Sequence, residues 1–398
     1  MGPVAIASTN SRRYSLQWGK YRVTMLAMKF NLPADFYSRY WQREPLLIRQ
    51  AIGDFQSPVT GDDLAGLACM DEVESRIIIE QGCAVPWEVR HGPFDEDEFS
   101  SLPDTHWTLL VQAVDHWDDE VAALRRLFPN IANWRLDDVM VSYAAAKGSV
   151  GPHFDSYDVF LLQGFGQRRW RLGGRVDSDT PLRQHPEMRL LKTFSETHDY
   201  LLEPGDALYV PPNVAHWGIA ETECVTYSIG FRAPSLSDVL EGSAAAIASE
   251  LPPDLRYTDQ LSDLTATPHP GEITADVVAR LHELVLEYST QEAVAEWFGS
   301  FSTERKYPAD PEQLTNREID ENIQGGQSCR ARNDSRFAFL SRESGIDLFA
   351  DGARFECPHE AAEFIHRLCS GTALQQNDFE RWHDIVFSLV AQGSLEFT

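Results

Sequence analysis

Gly151-Pro152-His153-Phe154-Asp155 is the stretch on which the reading of this chain turns. In an extended strand, residues i and i+2 point to the same side. The spacing therefore presents the imidazole of His153 and the carboxylate of Asp155 next to each other. Sixty-three positions on, His216 closes the run Glu203-Pro204-Gly205-Asp206-Ala207-Leu208-Tyr209-Val210-Pro211-Pro212-Asn213-Val214-Ala215-His216. A Pro-Gly-Asp turn leads there into an apolar strand, and a double-proline loop carries His216 back towards the sheet.

Two imidazoles and one carboxylate on one face of a metal leave three coordination positions open, the arrangement of non-haem Fe(II) centres. A bidentate 2-oxo acid fills two of them and dioxygen the third. By itself His-x-Asp is weak in a chain with 12 His and 61 Asp and Glu, where a surface His beside a solvated Asp is the ordinary alternative. A third element strengthens it. Gln163-Gly164-Phe165-Gly166-Gln167-Arg168-Arg169-Trp170 follows by one short hairpin. On its second strand Arg168 and Trp170 share one face, and Arg169 and Arg171 the other. An inward Trp beside an inward Arg makes Arg168 the partner for the distal carboxylate of a 2-oxo diacid, with Arg169 exposed. The alternative is two solvated strand arginines.

The surrounding texture is that of short strands. Asp138–Ala144, Val159–Gln163, Arg168–Leu172, Asp199–Leu202, Ala207–Val210 and Val225–Phe231 are apolar or alternating runs punctuated by Gly, Pro and Asp, which predicts a sandwich, jelly roll or barrel. Ahead of them lie a short helix over 35–41, a strand at 44–48, a helix to about Met70, strands over 75–81 and 105–114, and a helix over 120–127. Helices follow at 237–251, 273–289 and 291–301. In the second, Val277, Val278, Leu281, Leu284, Val285 and Tyr288 form one apolar stripe, to be covered by a partner subunit or by its own domain. Tyr307–Gly326 is polar and reads as a linker. Strands at 336–340, 346–349 and 354–357 and helices at 359–369 and 378–392 then make an α+β module of winged-helix size.

Length and composition bound these choices. A chain of 398 residues exceeds one ordinary core. Its 34 basic and 61 acidic side chains give a net charge of −27, which argues against gripping nucleic-acid phosphates and favours a basic partner or a highly soluble surface. Six cysteines without a Cys-x-x-Cys pair fit reduced cytosolic thiols and no structural zinc. No apolar run is long enough to span a membrane. Residues 1–28, free of Asp and Glu, read as a disordered extension, with Met25 and Met28 as alternative starts.

From about Met28 to Arg232 the chain resembles the JmjC-type Fe(II)/2-oxoglutarate oxygenases, and more narrowly the bacterial ribosomal oxygenases that hydroxylate an arginine of a large-subunit ribosomal protein. Val141-Ser142-Tyr143, Gly151–Asp155 with Tyr157-Asp158-Val159-Phe160, Gln163-Gly164 with Arg168-Arg169-Trp170, Glu203–Asp206 and Tyr227-Ser228-Ile229-Gly230-Phe231-Arg232-Ala233-Pro234 carry the resemblance. It implies a mainly β core, a double-stranded β-helix (jelly roll, cupin/JmjC) over 29–235, a helical dimerisation segment over 236–306 and a winged-helix-like module over 307–398. It implies His153, Asp155 and His216 as iron ligands, Arg168 and Ser142 beside 2-oxoglutarate, and Tyr227 and Ser228 as pocket lining. The implied reaction consumes Fe(II)-bound 2-oxoglutarate and O2 and hydroxylates arginine C3 of 50S protein sixteen. The implied protein is a cytoplasmic homodimer with a basic protein substrate and no direct nucleic-acid contact. The loop Ala144–Ser149 departs from the usual glycine-rich lead-in, so substrate choice is the looser inference. A histidyl hydroxylase, a demethylase and a non-catalytic cupin-like scaffold are the competing readings.

Overall fold

The alternation that marks 136–231 as strand-rich sets one face of each strand against a core and the other against a barrel interior. In the computed structural model, which describes residues 29–81, 87–128, 130–259, 269–308, 314–374 and 376–398, those strands form two antiparallel sheets. The expected extension over 1–28 lies outside the described residues.

The strands are β1 (Leu46–Ile48), β2 (Ser75–Ile79), β3 (Glu88–His91), β4 (Trp107–Val111), β5 (Leu136–Ala144), β6 (Asp158–Phe165), β7 (Arg168–Arg175), β8 (His198–Leu202), β9 (Ala207–Val210), β10 (Val214–Ala220) and β11 (Cys224–Phe231). The large sheet runs β1-β9-β6-β11-β5-β4-β2-β3 and the small one β10-β7-β8. On the outer face of the large sheet Val139, Val141, Phe160, Leu162, Tyr209, Val225, Tyr227, Ile229 and Phe231 join Phe36, Ile52, Phe55, Leu124 and Phe128 in the main core. Each such fully buried large side chain stabilises the fold by roughly 1.5–3 kcal/mol. The inner face packs Val159, Leu161, Leu208 and Val210 against Trp170, Leu172, Leu202 and Val214 of the small sheet. Ser142, Gln163 and Thr226 place buried polar groups on that inner face.

The His-x-Asp segment is not a continuous strand, contrary to the reading of it as extended. It touches the small sheet through two isolated bridges, Ser149 to Ile219 and His153 to His216. Pro152 has no N–H to give a ladder, and Gly151 sits at φ +78, so the chain turns here rather than running straight.

Beyond the barrel, helices Leu236–Glu250 and Ala275–Tyr288 precede helix Gln291–Thr303. The third of these packs on the strands β12 (Phe337–Ser341), β13 (Ile346–Ala350) and β14 (Ala353–Cys357) of the C-terminal module. Gly299 lies so close to Phe349 that an added Cβ would meet its ring at 2.3 Å. The polar stretch read as a linker contains helix Asn316–Gln324, capped by a reciprocal Thr315–Glu318 pair. Its only apolar side chains, Ile319 and Ile323, are four apart and drop into the C-terminal core. One C-terminal helix expected over 378–392 is instead two, Gln376–Arg381 and His383–Ala391, broken at Trp382. The module docks on the barrel through ion pairs: Lys306 with Asp137 (3.1 Å) and Asp138 (2.9 Å), Arg336 with Asp137 (2.9 Å) and Arg330 with Asp119 (2.9 Å).

Candidate metal centre and co-substrate pocket

β10 and the turn beside it bring His153, Asp155 and His216 together, with one potential ligand atom from each lying within 4.8 Å of the others. The pair of backbone hydrogen bonds between His153 and His216, 3.0 and 2.9 Å, fixes the two histidines opposite each other. Their ring centroids are 4.3 Å apart. Asn213, at φ +62, donates its N–H to the Asp155 carbonyl at 2.7 Å and so sets the carboxylate's approach.

Each imidazole is oriented from behind. Nδ1 of His153 lies 2.9 Å from the Gly151 carbonyl, and Nδ1 of His216 lies 2.9 Å from the Val214 carbonyl. A carbonyl can only accept, so both Nδ1 atoms carry the proton and both Nε2 atoms offer a lone pair. His216 Nε2 then faces Asp155 Oδ2 at 3.4 Å, acceptor against acceptor, an arrangement that a cation between them relieves. Burial, then the neighbouring His216, pulls His153 down to about 4. Burial pushes Asp155 up, but the close approach of His216, with His153 and Tyr157 beside it, outweighs burial and holds the carboxyl at about 2. Neutral imidazoles and an ionised carboxylate are the forms a divalent metal needs. The donor set fits Fe(II) with open positions.

Arg168 is the second feature. It enters the barrel from β7 and is 2 % exposed. Nη1 donates to Ser142 Oγ at 3.1 Å and approaches Thr226 Oγ1 at 3.5 Å, and Nε has no partner. Its guanidinium lies 5.0 Å from the Trp170 ring centroid. Among the described residues no carboxylate pairs with it. Burial alone pulls its basicity below the ordinary value. A buried cation met only by neutral hydroxyls is a receptor for an anion. Arg169, on the opposite face, is instead paired outside with Asp199 at 2.8 Å and Glu221 at 2.5 Å.

Ser142 lies against Arg168, and Ser228 stays on the interior side of β11 with Thr226. Tyr227 does not line the pocket. It points the other way, fully buried in the main core, with its hydroxyl 2.8 Å from Ser57 Oγ and its ring 5.8 Å from Phe55. The apolar alternation Val225, Tyr227, Ile229, Phe231 already assigns it to the core face. That parity points to Thr226 as the polar neighbour of Arg168, a residue the sequence reading passed over. Gly218 was also missed: on β10 opposite Trp170, a Cβ there would lie 2.8 Å from Arg168 Nε.

Comparison with known proteins agrees with this geometry. Residues 123–239 match the JmjC domain family and residues 281–396 the ROXA-like winged helix family. The second match begins inside the segment assigned to dimerisation, in keeping with the packing of helix Gln291–Thr303. The Escherichia coli (strain K12) ribosomal protein uL16 3-hydroxylase is 35 % identical over 351 residues, 87 % of this chain and 90 % of that protein. The X-ray structure of E. coli ycfD superposes with a TM-score of 0.82 at 33 % identity, over 93 % of this chain and all of the other. YcfD in complex with cobalt and 2-oxoglutarate superposes with a TM-score of 0.80 at 33 % identity, over 93 % of this chain and 99 % of that one. With the triad, the buried arginine and both domains in place, this chain belongs to the JmjC-domain ribosomal oxygenase family.

Proposed function

We propose that this protein is an Fe(II)- and 2-oxoglutarate-dependent hydroxylase acting at C3 of an arginine of ribosomal protein uL16. The observation that carries the chemistry is the buried, carboxylate-free Arg168 in the same barrel as an open His-Asp-His set. The named activity of the E. coli relative supports the substrate.

His153, Asp155 and His216 would hold an Fe(II) ion, which would supply the O2-dependent oxidative decarboxylation of 2-oxoglutarate to succinate and CO2 coupled to C–H hydroxylation. The carbonyls of Gly151 and Val214 keep both imidazoles turned with Nε2 inward. Arg168 takes the distal carboxylate of the co-substrate, with Ser142 at its side, and the walls of Trp170 and Leu172 keep water from that end. Orientation by these side chains lets the co-substrate bind in one register.

A net charge of −27 draws a basic ribosomal protein towards the site. Helix Ala275–Tyr288 has no buried residue, and Leu240, Val278, Val285 and Leu286 are each more than half exposed. That apolar surface supports a homodimer closed by a second copy. No helix among the described residues is long and apolar enough to cross a membrane, and a ribosomal substrate supports a cytoplasmic site of action. The test is succinate formation from 2-oxoglutarate with purified uL16 and Fe(II). Turnover that needs uL16 and vanishes in Asp155→Ala supports the assignment; turnover that survives in Asp155→Ala refutes it.

A further inference from the structure

Both hydroxyls that meet Arg168 have their protons committed elsewhere. Ser142 donates to the Thr226 carbonyl at 3.4 Å, and Thr226 donates to Gln163 Oε1 at 3.1 Å. Gln163 is fully buried on β6. Its amide cannot turn, because Nε2 donates to the Phe165 carbonyl at 2.7 Å and reaches the Gly166 carbonyl at 3.4 Å. Carbonyl oxygens accept only, so the amide nitrogen is held on the hairpin side and the amide oxygen on the Thr226 side.

We infer that Gln163 is a positioning residue for 2-oxoglutarate: it fixes the Thr226 hydroxyl so that its lone pair, not its proton, faces Arg168. This rests on the co-substrate reading above. The consequence is directional. With the amide locked, Thr226 and Ser142 can only accept from Nη1 and steady the guanidinium through that nitrogen. The cation's charge then stays uncompensated by any protein anion and is available to the distal carboxylate. Without Gln163 Oε1, the Thr226 proton has no fixed acceptor and turns towards Nη1, donor against donor, or towards the arriving carboxylate, changing where that carboxylate settles. The hairpin turn Phe165–Gly166, whose glycine sits at φ +64, thereby sets the geometry of a pocket it does not line.

The experiment is isothermal titration of the Zn(II)-loaded full-length protein with 2-oxoglutarate and, separately, with 2-oxobutyrate, which has the same oxo-acid head and no distal carboxylate. Gln163→Leu and Thr226→Val are each expected to weaken 2-oxoglutarate binding about tenfold, the upper range for one hydrogen bond, and to leave 2-oxobutyrate binding unchanged. Thr226→Ser keeps the hydroxyl and should bind as wild type. The double variant should be no weaker than either single one, because both break the same link. Unchanged 2-oxoglutarate binding in Thr226→Val, or equal losses for both ligands, overturns the inference. The Thr226 pair decides the matter even where Gln163→Leu disturbs the hairpin and fails to fold. If wild type itself does not bind 2-oxoglutarate, or Arg168→Met binds it equally well, it is the co-substrate reading that falls, not the relay alone.

Discussion

Gly218→Ala puts one methyl group against Trp170 and the buried guanidinium of Arg168. The added carbon would stand 2.7 Å from two ring carbons of Trp170 and 2.8 Å from Arg168 Nε, where ordinary contacts begin at 3.4 Å. Gly218 is not among the positive-φ glycines, so its strand backbone accepts alanine and the obstacle is the side chains alone. Trp170 is wedged between the sheets with Leu172 and Leu202. Arg168, held through one nitrogen, is the group that yields. Overpacking of this kind costs about 1–3 kcal/mol, and every 1.4 kcal/mol is tenfold in a binding constant. With that strain expressed as misplacement of the guanidinium, KM for 2-oxoglutarate rises between about fivefold and a hundredfold, from the same relation. At saturating 2-oxoglutarate kcat stays within about a factor of two, since the interaction lost is made equally in ground and transition states. KM for uL16 does not move. Initial rates of succinate release against 2-oxoglutarate concentration measure this. A folded Gly218→Ala protein with unchanged KM for 2-oxoglutarate would refute the placement of the co-substrate against Arg168.

Four further outcomes are expected. Arg168→Met abolishes turnover yet melts at a higher temperature than wild type without 2-oxoglutarate, because it removes a buried cation that no anion compensates; a lower melting temperature contradicts that account. His116 is half-buried with its Nε2 atom buried and unpartnered, and burial, against the pull of Asp115, keeps its pKa below the ordinary 6.5. The unfolded chain therefore takes up its proton first, stability falls as pH drops below 6.5, and the fall in melting temperature between pH 7 and pH 5 shrinks in His116→Gln. Binding of uL16 weakens steeply with added salt if the acidic surface steers it; a flat salt response removes charge from the explanation. Leu240→Glu combined with Val285→Glu gives monomers by light scattering if the exposed helical face is the homodimer interface, and an unchanged mass excludes that face.

The chemistry was more legible than the architecture around it. His153, Asp155 and His216 stand out because ligand chemistry restricts residue type, and Arg168 because strand parity separates it from Arg169. The same parity on β11 sends Tyr227 to the main core with Val225, Ile229 and Phe231 and turns Thr226 towards Arg168, against the pocket position that the resemblance implies for Tyr227. Gly218 leaves no sequence signal, since the need for an absent side chain appears only when β10 and β7 are laid side by side. The His-x-Asp segment reads as extended from its i, i+2 spacing alone, whereas Gly151 and Pro152 turn the chain there through backbone conformation. The helix Asn316–Gln324 was hidden by its polarity: two isoleucines four apart suffice to seat it because the surrounding module supplies the rest of the core. Helix Gln291–Thr303 has apolar side chains for two neighbours, Trp297 over Gly242 on one side and Gly299 against Phe349 on the other, and periodicity alone does not say which neighbour claims it.

Whether this barrel oxidises an arginine of uL16 is decided by mass spectrometry of uL16 after incubation with the protein, Fe(II), ascorbate, O2 and 2-oxoglutarate. The expected result is a gain of one oxygen atom on a single arginine, located to C3 by fragmentation and NMR, and absent with His153→Ala. Unmodified uL16 in a reaction that still yields succinate would contradict the substrate assignment, and unmodified uL16 with no succinate would contradict the enzymatic reading itself.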